Sequence, residues 1–423
     1  MSYFLKKIKA SLQSKFVRGV LVLVGGAGLA QVISVAALPI LTRLYTPSDF
    51  SILASYSAIL AIISTISCVR LEIAIPIAEK DSEAINLVVL SFLSLFISLT
   101  VLTLGLLTFN SEIRSILGTE VGVFLWLLPI GLLGSSIYKV LQFWATRKKD
   151  FKLLARTRVE QSFYGTSAQL SLGWFAYGSI GLLTGQILQS AAGMFRLSKS
   201  FYSDSILELK KVKISSLKET LFKFKSFPLY SASESLFNVA AIQLPIFMIA
   251  TTLGDEGGFL MLGMKLLAIP ATLLGAAVGQ VYLSEAAEKY HNGELKNFTN
   301  KTTMYLAKIS MVPFFAVGVM APILSSFFLG DDWARTGVLV SFMVPWFFLQ
   351  FITSPVSMAL HIVNLQKIAF YLQFFGLILR AGGVFLLLHL NSSFCVEYYI
   401  LSGFLFYSLY LTTVLVIVNK RGK

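Results

Sequence analysis

Two cations stand in the middle of otherwise apolar runs, Arg380 and Lys265. A charge held near the centre of a bilayer costs about 3 kcal/mol or more, so such a residue turns toward a partner or a hydrated space. At about 1.5 Å per helical residue, Arg380 lies roughly 20 Å beyond Lys367. Lys265 lies about 14 Å into its own run by the same count. A guanidinium presents a planar fork that matches phosphate oxygens, so Arg380 reads as a phosphate clamp. The competing reading is a structural pair, or a side chain that snorkels outward. Lys139 and Lys308 lie nearer the ends of their runs, where a long side chain reaches the surface.

The acidic counterparts are few. Glu234 and Asn238 are spaced i, i+4 and share one helix face, with Ser231 and Ser235 beside them. Glu160 stands near the start of another run, where it serves as a helix N-terminal charge or as a partner for Arg156 or Arg158. Burial of Glu234 or Glu160 would raise its pKa and let it carry a proton, so both are candidate coupling residues. Other chemistry lacks its residues. His291, His361 and His389 have no second ligand at metal spacing, and Cys68 and Cys395 read as apolar packing residues. No phosphate-binding glycine loop is present, so nucleotide hydrolysis by that route is excluded. The expected protein is not an enzyme and calls for no cofactor; a coupling ion, H+ or Na+, stays open.

The elements that position these residues follow from hydropathy. Apolar residues make up 56% of the 423 and charged ones only 13%, too few polar side chains to cover a soluble surface. A helix of about 20 residues crosses the roughly 30 Å of hydrocarbon. Twelve runs meet that length, at 18–43, 50–70, 84–109, 119–145, 158–177, 179–198, 228–252, 257–283, 303–328, 336–361, 367–389 and 396–418. The expected fold is an all-α polytopic membrane protein of about twelve transmembrane helices. Most of the 35 Lys and Arg residues gather in alternate connections and at both termini. Arg43, Arg114 and Arg335 stand on the opposite side. Basic loops resist translocation, so both termini are expected in the cytoplasm. The net charge of +14 therefore reflects topology, and no nucleic-acid partner is expected.

The longest and most basic connection, 199–227, separates six runs from six. Expected domains are thus an N-terminal lobe at 1–198, a basic connector at 199–227 and a C-terminal lobe at 228–423. A faint echo links the halves. Leu38-Pro39-Ile40 recurs as Leu244-Pro245-Ile246, and an Asp follows each proline by ten residues, Asp49 and Asp255.

Several segments resemble one family. Leu38-Pro39-Ile40-Leu41-Thr42-Arg43-Leu44-Tyr45-Thr46-Pro47-Ser48-Asp49-Phe50 is similar to the first outer loop of Wzx-type polysaccharide flippases of the MOP (MATE-like) superfamily. Arg70-Leu71-Glu72-Ile73-Ala74-Ile75-Pro76 resembles the end of their second helix, and Arg147-Lys148-Lys149-Asp150-Phe151-Lys152 their basic loop after helix four. Phe227-Pro228-Leu229-Tyr230, Gly279-Gln280-Val281-Tyr282 and Glu285-Ala286-Ala287 are similar to later segments in the same order. Ser51 departs from the family's usual glycine.

The resemblance implies two six-helix lobes around a cationic central cavity. It implies alternating access for an undecaprenyl-diphosphate-linked oligosaccharide in the bacterial inner membrane. Arg380, Lys265, Arg43 and Lys139 would then meet the diphosphate, and Gln31, Asn238 and Gln243 would line the sugar's path. Implied partners are the lipid-linked oligosaccharide diphosphate, membrane lipid and other glycan-assembly membrane proteins. O-antigen or related lipopolysaccharide synthesis would be the setting. A MATE-like small-molecule exporter is the alternative, as is a non-transporting membrane component of glycan assembly. An exporter of cations would favour a deep acidic residue in the first lobe, where Glu72 and Glu160 read as lying near helix ends.

Overall fold

The computed structural model describes residues 15–112, 122, 124–363 and 365–421. The basic residues Lys6, Lys7 and Lys9, and Arg114 on the opposite side, lie outside them. Among the described residues every regular element is a helix. Lipid offers no partner to a free backbone amide, and a helix pairs its own.

The first expected run is α1 (Lys15–Ala36) followed by α2 (Leu38–Leu44). The break falls just before Pro39, whose ring displaces the preceding turn's carbonyl and which has no N–H to donate. Asp49 then accepts from the Thr46 amide at 2.9 Å and the Thr46 hydroxyl at 2.8 Å, turning the chain into α3 (Pro47–Ile66). Val69 and Arg70 come next in left-handed backbone, φ 44° and 62°, ahead of a 3₁₀ turn at Leu71–Ala74.

Beyond that turn lie α4 (Asp81–Thr108), α5 (Leu128–Arg147) and α6 (Phe151–Trp174). Asp150 caps α6 by accepting from the Leu153 amide at 3.0 Å. Gly193, at φ 83°, separates α7 (Ser179–Ala191) from α8 (Met194–Leu209). A short helix, α9 (Ile214–Lys223), precedes a π turn at Phe227–Ser231 and then α10 (Ala232–Thr252).

The remaining elements are α11 (Asp255–His291), α12 (Leu295–Leu329), α13 (Ala334–Val356), α14 (Ala359–Ile362), α15 (Gln366–Leu377), α16 (Gly383–His389) and α17 (Cys395–Arg421). A π turn, Ile378–Gly382, joins α15 to α16. In its described residues each of the twelve expected runs falls on a helix or a pair of helices, residues 119–121 and 123 of the fourth lying outside them. Nine helical segments among the described residues are long and apolar enough to cross a membrane. The runs at 158–177, 179–198 and 257–283 are helical but not among the nine. α6 carries Arg156, Arg158 and Glu160, and α7 has only 13 residues.

Packing divides the chain into two compact units. One comprises Met1–Ala37 with Leu60–Leu236, the other Leu38–Ile59 with Phe237–Lys423. Residues 38–59 pack with the second unit because their polar groups bond there. The Trp333 indole donates to the Thr42 carbonyl at 3.0 Å, and the Ser51 hydroxyl donates to the Ala250 carbonyl at 3.0 Å. Ser51, the departure from the family's glycine, is buried and satisfied. The stretch 199–227 packs within the first unit. Asn86 donates to the Thr220 hydroxyl at 3.0 Å, Lys223 pairs with Glu83 at 2.7 Å, and Phe201 meets Trp144 edge to face.

Within the first unit α6 and α7 approach backbone to backbone, because small residues face each other. A Cβ on Gly185 would lie 2.7 Å from the Gly165 carbonyl oxygen. Helices in lipid gain contact mainly by such close approach, since apolar side chains gain nothing over lipid tails. The second unit makes a close backbone approach at Gly258, where a Cβ would collide with the Pro47 carbonyl oxygen. A backbone oxygen cannot rotate away. Gly258→Ala is therefore expected to lower stability by about 1–3 kcal/mol, the usual cost of overpacking. A thermal unfolding series in detergent, with Gly105→Ala as the open-space control, checks it.

Candidate functional site: a caged arginine and a buried ion cluster

Arg380 sits in the π turn Ile378–Gly382 and is 1% exposed. A π turn inserts one residue into the helical ladder and leaves carbonyls seeking donors. Here the Tyr398 hydroxyl donates to the Leu379 carbonyl at 2.8 Å, which holds the turn from α17. The guanidinium lies among rings, 4.6 Å from the Phe406 centroid, 5.2 Å from Trp346 and 5.3 Å from Tyr407. The negative faces of those rings attract the cation. The Tyr407 hydroxyl accepts one hydrogen bond from it. Nε and Nη2 are buried with no hydrogen-bond partner among the described residues. No carboxylate among those residues pairs with Arg380, so the structural-pair reading has no acidic partner, and the side chain does not snorkel.

A buried donor left unpaired costs about 1–3 kcal/mol, more for a charged group. The aromatic cage offsets part of that cost. The remainder is a positive group with two free donors, a constellation that receives an acceptor-rich anion.

Lys265, the second expected cation, lies on α11, half-buried between Met264 and Leu266, which pack on the second unit's core. No ion pair or hydrogen bond to Lys265 is found among the described residues, and none joins it to Arg380. Arg43 is exposed at the end of α2 and donates to the Pro39 carbonyl at 2.7 Å and the Phe328 carbonyl at 3.2 Å. Gln31 is half-buried on α1 in the first unit. Gln243 is half-buried and Asn238 exposed on α10 in the second. Glu234, one turn before Asn238, is half-buried and belongs to the first unit. Glu160 pairs with Arg156 at 3.3 Å and Arg196 at 2.6 Å, so its partner within α6 is joined by one from α8.

Lys139 corrects the sequence reading. Its place near the end of a run predicts a side chain that reaches the surface, whereas its ammonium donates to the Ser64 carbonyl at 2.5 Å and stands 3.9 Å from Glu72. Glu72, expected near a helix end, has a side chain with no exposure at all. Burial raises its pKa, and the nearby charges of Lys139 and Arg70 offset part of that rise. The signal was present in the sequence: an Arg-Leu-Glu triplet closing an apolar run without a polar loop around it. The aromatic cage had no such signal, because Trp346, Phe406 and Tyr407 are spread over 62 positions of apolar helix.

A third ionic group lies in the second unit. Arg335 pairs with Glu256 at 3.0 Å and Glu397 at 2.5 Å, tying the starts of α11, α13 and α17 together. All three side chains are about a third exposed, so it acts as a clasp between helix ends. Cys68 and Cys395 are free and buried, as packing residues are. No cluster of three metal-ligating side chains occurs among the described residues.

Comparison with known proteins fits this architecture. The fold is similar to that of a MATE transporter solved with MaL6, at 16% identity over 97% of each chain and a TM-score of 0.64. It is similar to an inward-facing multidrug resistance MATE family transporter of the MOP superfamily, at 14% identity over 94% of each chain and a TM-score of 0.59. A MOP superfamily transporter from Pyrococcus furiosus, described by the reverse polarity of its binding pocket, matches at 15% identity and a TM-score of 0.59. That match covers 97% of this chain and 98% of the other. No curated protein matches the sequence. The family described as polysaccharide biosynthesis protein matches residues 40–337, well over half of the chain. With that match and a MATE-like, multi-pass helical fold, the chain belongs to the polysaccharide biosynthesis protein family.

Proposed function

We propose that this protein is a flippase carrying undecaprenyl-diphosphate-linked oligosaccharide repeat units across the bacterial inner membrane by alternating access. It would serve surface polysaccharide synthesis, O-antigen or a related glycan, with both termini in the cytoplasm. The observation that carries the reading is Arg380, a caged guanidinium with Nε and Nη2 unpaired. A diphosphate cannot cross hydrocarbon without exchanging its hydration for donors of this kind. Lys265, at comparable depth by sequence and without an ion pair among the described residues, adds a second cation for the same headgroup. Arg43 stands outside that pair; its hydrogen bonds to two backbone carbonyls suit a helix-end clasp. Gln31, Asn238 and Gln243 supply amides for a sugar.

The family membership supports the glycan setting, and other glycan-assembly membrane proteins are the partners it suggests. An exporter of small cations is less consistent with the first unit. Its buried acid, Glu72, already has the cations Lys139 and Arg70 beside it.

The test is translocation in proteoliposomes of two labelled polyprenyl glycans that differ only in headgroup, one a diphosphate and one a neutral ester. The diphosphate is expected to move at least tenfold faster, which corresponds to about 1.4 kcal/mol. Equal rates for the two would overturn the reading.

A further inference from the structure

The first unit holds a second charged constellation, one that binding a diphosphate does not require. Glu72 sits in the 3₁₀ turn Leu71–Ala74 directly after two left-handed residues, Val69 and Arg70. Non-glycine residues adopt that backbone at a cost of roughly 1–3 kcal/mol, and such strain gathers at functional positions. Apart from the residue's own amide, neither carboxylate oxygen has a hydrogen-bond partner among the described residues. The nearest cation among the described residues, Lys139, is 3.9 Å away and directs one of its three N–H donors to the Ser64 carbonyl at 2.5 Å. One ammonium is thus shared unequally between a neutral carbonyl and a buried acid.

The groups around Glu72 come from each element packed on the turn. Arg70 is on the turn's own N-terminal flank, with its Nε buried and unpaired. α5 contributes Lys139 and, at its end, Arg147, which donates to the Ile75 and Ala78 carbonyls and pairs with Asp81 of α4. Cys68 lies before the turn, and Glu234 of α10 faces Arg70. Arg147 pairs with Asp81, which it shares with Lys148, and Glu234 lies within electrostatic reach of Arg70. Lys139, at 3.9 Å, can reach the carboxylate by a short swing.

We propose that Glu72 is a proton-binding site in which Lys139 exchanges the Ser64 carbonyl for the carboxylate when the proton leaves. With the proton on an Oε of Glu72 the acid is neutral and Lys139 remains on Ser64. Loss of that O–H proton to water leaves the electron pair and the negative charge on the carboxylate. Such a charge cannot stay buried without a partner, so Lys139 moves onto it and releases the end of α3. The Lys139 side chain is 25% exposed, which connects the buried acid to solvent. The raised pKa of Glu72 has the same direction, since burial holds the proton to a higher pH than an exposed glutamate would. The ligand is the proton itself, so this site stands whatever the protein carries.

Infrared titration of the purified full-length protein tests it without any substrate. The expected result is a protonated-carboxyl C=O band that titrates above the ordinary glutamate range of about 4.3 and is missing in Glu72→Gln. Lys139→Gln is expected to move the midpoint higher, because it removes the cation that favours the charged form. Amide hydrogen exchange of residues 62–72, corrected for intrinsic pH dependence, should step at the same midpoint in the wild type and stay flat in Glu72→Gln. A band that survives in Glu72→Gln, a midpoint in the ordinary range, or a step that persists in Glu72→Gln would overturn the proposal. Because none of these readouts uses a glycolipid, their failure leaves the flippase reading untouched.

Discussion

Arg380→Ala is expected to abolish glycan export while the protein still inserts and runs as a folded species in detergent. The substitution removes the charged group held in a cage of Trp346, Phe406 and Tyr407 and, with it, both free donors. Each hydrogen bond between charged groups contributes about 1.5–3 kcal/mol. Loss of two therefore predicts at least a hundredfold fall in translocation of a diphosphate-linked glycan. Arg380→Lys separates charge from shape. An ammonium keeps the charge but neither stacks its plane on Phe406 nor presents a fork, so it should recover only part of the rate. The pair of variants is read in the proteoliposome assay, with membrane insertion followed by fluorescence-detection chromatography. Full export by Arg380→Ala would end the clamp assignment.

Gly403→Ala acts on the same cage from behind. A Cβ there would collide with Cδ2 of Trp346 and lie 2.5 Å from its Cε2. Trp346 is 1% exposed and packs edge to face on Tyr399, itself fully buried, so the indole has nowhere to retreat. Overpacking of this kind costs about 1–3 kcal/mol, and the ring that moves is one of those holding the Arg380 guanidinium. The expected outcome is a lower unfolding temperature together with export reduced at least tenfold. Export lost with stability intact would show that the cage tolerates no displacement. Both unchanged would show that Trp346 does not hold the guanidinium in place.

Much of this architecture is legible in the residues alone. Apolar runs long enough to cross a bilayer must be helical, because only a helix satisfies its own amides in lipid. Hence the described residues of all twelve expected runs fall on helices, and Pro39 ends a helix where a proline should. Arg380 announces itself by type and depth, because an arginine in hydrocarbon is too costly to be incidental. The echoed Leu-Pro-Ile segments are visible too, but not their meaning. Each leads into a helix start, at Pro47 and at Asp255, and Gly258 of one rests against Pro47 of the other. Identity at three residues carries no information about such a contact.

The ion partners are the least legible. Lys139 and Glu160 both lie within reach of a surface by residue counting, yet one turns inward to Glu72 and the other is held by Arg196 from a different helix. Glu72 does lie beyond a helix end, but its burial is not visible to such counting, because distance along the chain from an apolar run is not distance from solvent. The left-handed pair Val69 and Arg70 folds the chain back and buries the 3₁₀ turn that carries Glu72.

Alone, the amino-acid order determined the helical class, the approximate spans and the presence of costly cations within them, since each depends on local hydropathy and backbone pairing. Tertiary structure decided which carboxylate is hidden, which rings surround Arg380, and that residues 38–59 pack with the second half of the chain. Those outcomes depend on contacts between residues far apart in sequence, and the energy that selects them exists only once the helices are packed.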